Sequence, residues 1–186
     1  MKGPSRPSPA AKLRRGRTTD LGALVALERA VFTTDLLSRR SFRRFLAATS
    51  AASATLIVAE AGGRLAGYVL VLYPPRSKLA RLYSIAVAPH IGRRGVGTRL
   101  LAGAEQAARR RGRETMRLEV HEHNGRAIGR YEKSGYRLFG RHRRYYADRG
   151  DALRFAKALV RESSRNRPDS EARIGFDGGH RGRRSR

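Results

Sequence analysis

Between Leu79 and His121 the chain reads as strand, glycine-punctuated turn, helix and strand. That order constrains the fold more than any other feature of the sequence. Leu79 to Ala88 is β-prone and stops at Pro89, a residue that cannot donate to a ladder. Gly95 to Arg111 follows, with Val96, Leu100, Ala104 and Ala108 on one helical face and Gly112 as terminator. Thr115 to His121 reads as a strand again. Two strands joined through a helix lie parallel, whereas strands joined by tight turns lie antiparallel.

The flanking segments are of the second kind. Thr55 to Glu60 and Leu65 to Tyr73 bracket Gly62-Gly63, a hairpin turn, and Pro74-Pro75 stops the returning strand. Asp20 is placed to cap a helix using Leu21, Leu24, Leu27 and Val31, and Ser38 a second using Phe42, Phe45 and Leu46. Asn124 caps a further helix running to about Ser134, stopped by Gly135. Tyr136 to Tyr146 and Ala152 to Leu159 read as a closing hairpin. The expected class is α/β with a mixed, mostly antiparallel sheet, one parallel strand pair and helices on both faces. Residues 1–16 are expected to be a disordered basic tail, 17–160 the folded domain and 161–186 a disordered Arg-rich tail too poor in bulky apolar residues to offset its ordering entropy.

Composition removes several classes. With no cysteine, the 186-residue chain has no disulfide, thiolate metal site or Cys nucleophile. No apolar run is long enough for a transmembrane helix, and the first residues lack the apolar stretch of a secretory signal, so a cytoplasmic location is expected. The formal charge of +26 invites a nucleic-acid reading, but the charge is mostly Arg and is spread along the whole chain. Weak, salt-sensitive adhesion to RNA or DNA is expected of such a surface, not a dedicated site.

Three local patterns carry chemistry. Gly92-Arg93-Arg94-Gly95-Val96-Gly97 lies at the mouth of a helix, where open N–H groups, small residues and the helix dipole together suit a pyrophosphate. The same pattern also fits a plain turn, and it is neither a P-loop nor a good dinucleotide fingerprint. Glu119 is an acid in the apolar strand segment Leu118-Glu119-Val120 and faces away from its neighbours. It is either a salt-bridge partner on a wet face or a general base in a cleft. Asn124, Ile128 and Tyr131 share one helical face, as cap and core or as the lining of a ligand. His121 and His123 lack a third ligand at a known metal spacing, so no metal is expected, and there is no nucleophile elbow.

Taken together, Tyr83-Ser-Ile-Ala-Val-Ala-Pro89, Gly92 to Gly97, Leu118-Glu119-Val120, Asn124, Ala127-Ile128, Tyr131-Glu-Lys-Ser-Gly-Tyr136 and Tyr145-Tyr146 resemble the GNAT superfamily of N-acetyltransferases. Within it the segment is most similar to the ribosomal-protein-alanine type. The resemblance implies acetyl-CoA as co-substrate. Ile85, Ala86 and Val87 would lie on the strand that pairs with the pantetheine arm, and Val87 or a neighbour would offer its N–H to the oxyanion. Arg93, Arg94, Gly95, Val96, Gly97 and Thr98 would wrap the pyrophosphate, and Asn124 would touch the arm. Glu119 would be the general base, usually through water, and Tyr131 the general acid. Gly92 stands where the family pattern has Gln or Arg, with Arg93 or Arg94 available to compensate.

The reaction so implied is direct attack of a neutral primary amine on the thioester in a ternary complex. A protein N-terminal α-amine is the expected acceptor, because its reference pKa of ~8 asks less of a base than lysine's ~10.4. A small-molecule amine, a lysine side chain, or an inactive nucleic-acid-binding protein on the same fold are the alternatives.

Overall fold

The computed structural model describes residues 11–50, 52–91 and 95–159. Seven strands form one sheet: β1 (Lys12–Arg15), β2 (Ala54–Ala61), β3 (Arg64–Leu72), β4 (Leu79–Val87), β5 (Thr115–His121), β6 (Arg137–His142) and β7 (Ala152–Ala158). Their order is β1-β2-β3-β4-β5-β7-β6. Every pairing is antiparallel except β4 with β5, the pair joined through a helix. The β2–β3 turn has Gly62 at φ +57° and Gly63 at φ +74°, the left-handed backbone that a two-residue hairpin needs.

Helices α1 (Leu21–Val31) and α2 (Arg39–Ser50) pack on one face, and α3 (Val96–Arg110) and α4 (Gly125–Lys133) on the other. Adjacent residues of β3 show the division. Tyr68 meets Phe42 of α2 edge-on at 5.4 Å, while Gly67, pointing the opposite way, lies under Leu100 of α3. A Cβ at Gly67 would sit 2.9 Å from the Leu100 side chain and 2.7 Å from the Ala86 carbonyl. The absence of a side chain there is what lets α3 approach the sheet.

Three expectations need correction. Lys12–Arg15 is a paired strand, although it falls in the segment read as a disordered tail. Arg14 fixes it by donating to Asp20 at 2.8 Å and to Glu60 at 2.8 Å. Asp20 consequently does not cap α1 with its side chain; its carboxylate accepts from Arg14 and from the Arg17 N–H at 2.7 Å. Strand β6 ends at His142, so Tyr145 and Tyr146 lie in the connection to β7, where both backbone N–H groups donate to the Gly150 carbonyl. The segments 1–10 and 161–186, read as tails, lie outside the described residues.

Candidate active site

The site is built where β4 and β5 part. Their parallel register runs from Leu79–Thr115 to Leu82–Leu118 and stops there. Beyond that point β4 continues to Val87 against β3, and β5 continues to His121 against β7. The β3–β4 register shifts between Leu70 and Val71, which leaves Tyr83 as the extra residue of a bulge at the parting point. The Ala88 N–H donates to the Ala66 carbonyl at 2.9 Å. Alternation along β4 then turns the backbone polar groups of Ile85 and Val87 to the opposite edge, into the gap. A ligand arm carrying amides has an unpaired strand edge to pair with there.

At the end of β4 stands the N-terminus of α3. Gly95 has φ +71° and no atom within 4 Å of where its Cβ would be. Thr98 is exposed in the first turn. Over Gly97 lies Arg130 of α4, its guanidinium carbon 2.8 Å from the position of a Cβ. An arginine and the positive end of a helix dipole thus converge on one uncovered spot, which suits an anionic group. Arg93 and Arg94, read as part of this cradle, lie outside the described residues.

On the other side of the parting strands is Glu119. Leu118 and Val120 are buried beneath α3 and α4, and Glu119 faces away from them with 15% of its side chain exposed. Arg81 Nε donates to its carboxylate at 3.0 Å, and Arg81 Nη2 donates to the Tyr145 hydroxyl at 3.1 Å. Tyr146 is half-buried beside them, and His121 stacks on it with ring centres 4.8 Å apart. Burial first, and then the nearby Tyr145, Glu119, Tyr131 and Asp35, push the Tyr146 phenol well above its ordinary value. The Ala147 N–H donates to Asp35 in the α1–α2 loop at 3.5 Å, so two loops meet over the acid.

Tyr131 of α4 is 3% exposed and packs against Tyr136 at 5.7 Å and Phe155 at 6.4 Å. Burial raises its phenol to about 12, so it is protonated at any physiological pH. Asn124 does cap α4, its Oδ1 accepting from the Ala127 N–H at 3.1 Å, which leaves its NH₂ group free to donate elsewhere. His121 is hydrogen-bonded to Asp148 at 3.0 Å, and among the described residues no three His, Asp or Glu side chains form a metal-binding group.

The geometry matches known proteins. The acetyltransferase (GNAT) family model matches residues 23–136. This chain belongs to the GNAT acetyltransferase family. It is 30% identical over 159 residues to an N-alpha-acetyltransferase of Sulfurisphaera tokodaii, covering 80% of this chain and 93% of that one. Its fold superimposes with a TM-score of 0.72 on the ribosomal-protein-S18-alanine N-acetyltransferase of Escherichia coli, at 26% identity over 84% of this chain and 99% of that one. A similar superposition, TM-score 0.71 at 18% identity over 87% and 99% of the two chains, is found with yncA of Salmonella typhimurium, solved with acetyl-CoA. This GNAT acetyltransferase is therefore an acyltransferase.

Glu119 and the free β4 edge lie at the parting of β4 and β5, while Tyr131 is buried in α4 against Tyr136 and Phe155. Arg81, Arg130 and Asp35 were not singled out. The only signal for Arg81 was its alternation with Tyr83 on a strand otherwise read for its backbone.

Proposed function

We propose that this acyltransferase moves the acetyl group of acetyl-CoA to the α-amine of a protein or peptide N-terminus. The observation that carries the reading is the placement of one carboxylate, Glu119, at the acceptor side of a strand parting whose other side offers a free amide edge and an anion cradle. The resemblance to an N-alpha-acetyltransferase supports the acceptor class.

In this reading the pantetheine amides pair with Ile85 and Val87 along the strand that includes Ala86. The pyrophosphate rests on the N–H groups of Gly95, Val96, Gly97 and Thr98, with Arg93 and Arg94 adding charge and Arg130 a further cation. Asn124 donates its free NH₂ to the arm. Glu119, oriented by Arg81, takes a proton from the acceptor ammonium, directly or through a water. The neutral nitrogen attacks the thioester carbon and the C–N bond forms. The Val87 N–H is directed at the developing oxyanion. As the C–S bond breaks, the Tyr131 O–H donates to the departing sulfur. With a phenol raised to about 12 it serves as a donor that never competes for the acceptor's proton.

The test is acetyl transfer to two peptides of one internal sequence. One carries a free N-terminus and no lysine, the other a blocked N-terminus and one lysine. Mass spectrometry locates the acetyl group. Faster acetylation of the lysine peptide overturns the α-amine reading, and turnover of small amines alone replaces the acceptor class.

A further inference from the structure

The sheet face that carries Glu119 continues past the site with no helix over it among the described residues. Helices α1 and α2 pack on β2, β3 and β4, and α3 and α4 lie on the opposite face of β5 and β7. Glu119 pairs in register with Arg154 of β7, and Arg117 lies two residues back along β5, so all three side chains leave the same face. Both arginines run to Phe139 of β6, which is 43% exposed. The guanidinium carbon of Arg117 is 5.1 Å from the ring centre and that of Arg154 is 4.6 Å away. Among the described residues neither arginine meets a carboxylate, and Arg154 Nε is buried without a hydrogen-bond partner. Glu119 itself is already held by Arg81.

We propose that this arginine–aromatic face is the docking surface for the acceptor chain, and that it selects N-termini followed by acidic residues. The inference rests on the α-amine reading above and specifies its substrate class. An extended strand advances ~3.3 Å per residue, so the distance from Glu119 to Arg117 is about two residues of peptide. A chain with its α-amine at Glu119 lays its second to fourth residues over Arg154, Phe139 and Arg117. Carboxylates at those positions meet guanidiniums that Phe139 holds in place and that pair with no carboxylate among the described residues. Lysine or arginine there meets like charge.

The experiment compares three peptides that share their first residue and carry Asp, Ser or Lys at positions two to four. Thiol release measures the rates, since a chain without cysteine contributes no background. The parent is expected to favour the acidic peptide over the neutral one by about fivefold to tenfold in kcat/KM, with the preference falling as salt is raised. The double variant Arg117→Ala, Arg154→Ala should lose that preference, and Arg117→Glu should reverse it. The KM for acetyl-CoA and the melting temperature should not move. Equal rates on all three peptides, or a preference that survives in the double variant, overturn the inference alone. Acetylation of none of the three α-amines, with turnover of a lysine or a small amine, overturns the α-amine reading and this inference with it. An RNA oligonucleotide that binds the parent but not the double variant, with peptide rates unchanged between the two, assigns the face to nucleic acid and also overturns it.

Discussion

Arg81 of β4 reaches across the parting strands to Glu119 of β5, with both Nε and Nη2 at 3.0 Å from the same carboxylate oxygen. Because the backbone register ends at Leu82–Leu118, this side-chain pair is the next link between the strands. Arg81 also donates to Tyr145, so one guanidinium ties the acid to the β6–β7 connection. Arg81→Ala is expected to lower kcat/KM for the acceptor by about tenfold or more, with Arg81→Lys recovering the charge but not the planar set of donors that reaches Glu119 and Tyr145 together. Acetyl-CoA affinity, read by calorimetry, should be unchanged. A loss confined to acetyl-CoA binding would place Arg81 in the cofactor cradle instead.

Glu119→Gln and Tyr131→Phe separate the two ends of the transfer. General acid–base groups contribute ~10²–10⁴-fold. Glu119→Gln should lower the rate and move the pH optimum upward, since free amine must then come from deprotonation in bulk water. Tyr131→Phe should lower kcat while leaving acetyl-CoA affinity unchanged. With its phenol at about 12, Tyr131 predicts no alkaline loss of rate below about pH 10. Losses under about threefold in both variants would put the chemistry on other groups.

Much of this fold was legible because its elements obey their periods. Leu100, Ala104 and Ala108 repeat at one helical turn and are buried, and Leu118 and Val120 flank an outward Glu119. What escaped was whatever depends on a distant partner. Lys12–Arg15 has no apolar alternation, and it is a strand because Arg14 finds Asp20 and Glu60 and its backbone finds β2. The parting of β4 and β5 follows from a bulge at Tyr83, which no local propensity marks. The outward placing of Glu119 was legible from the alternation of the strand, but Arg81, the residue that holds its carboxylate, lies 38 positions earlier in the chain.

The helix mouth gives a graded test. Gly95 has φ +71°, a conformation unfavourable for other residues, and Gly95→Asp adds negative charge where the pyrophosphate is proposed to lie. A loss of at least about tenfold in acetyl-CoA affinity is expected, equal to ~1.4 kcal/mol. Gly97→Ala adds only a methyl group, but that methyl falls 2.8 Å from the Arg130 guanidinium carbon and displaces it. A smaller loss in affinity is expected, mirrored by Arg130→Ala. Calorimetry that found Gly95→Asp binding as well as the parent would remove the cradle from this helix.

A chain beginning at Arg17 should be measurably less stable than one beginning at Ala11. The shorter form lacks the β1–β2 pairing and leaves Asp20, which is largely buried, without Arg14. At ~2–4 °C per kcal/mol for a chain of this size, a drop of roughly 5 °C or more is expected. Equal melting temperatures would mean that β1 contributes nothing to the domain.

Glu28 offers the clearest pH signature. It is 2% exposed in α1, accepts from the Leu37 N–H at 2.9 Å and from the Tyr68 hydroxyl at 2.5 Å, and Tyr68 in turn is 2.7 Å from Ser84 of β4. Burial raises its carboxyl, outweighing the two hydrogen bonds that favour the charged form. A carboxyl raised on folding contributes stability that is complete below its ordinary value of ~4.3 and is lost as pH rises through the folded value. The parent therefore gives up stability as the buried Glu28 takes on its charge with rising pH. Glu28→Gln removes that charge and keeps an acceptor for Leu37, so its melting temperature at pH 7 should equal or exceed the parent's. The advantage should shrink as pH falls toward 4.5. Glu28→Leu leaves the Leu37 N–H and the Tyr68 hydroxyl short of a partner and should cost about 1–3 kcal/mol. Equal destabilisation by Gln and Leu at pH 7 would show that the charge itself, and not the hydrogen-bonding role, is what the fold requires.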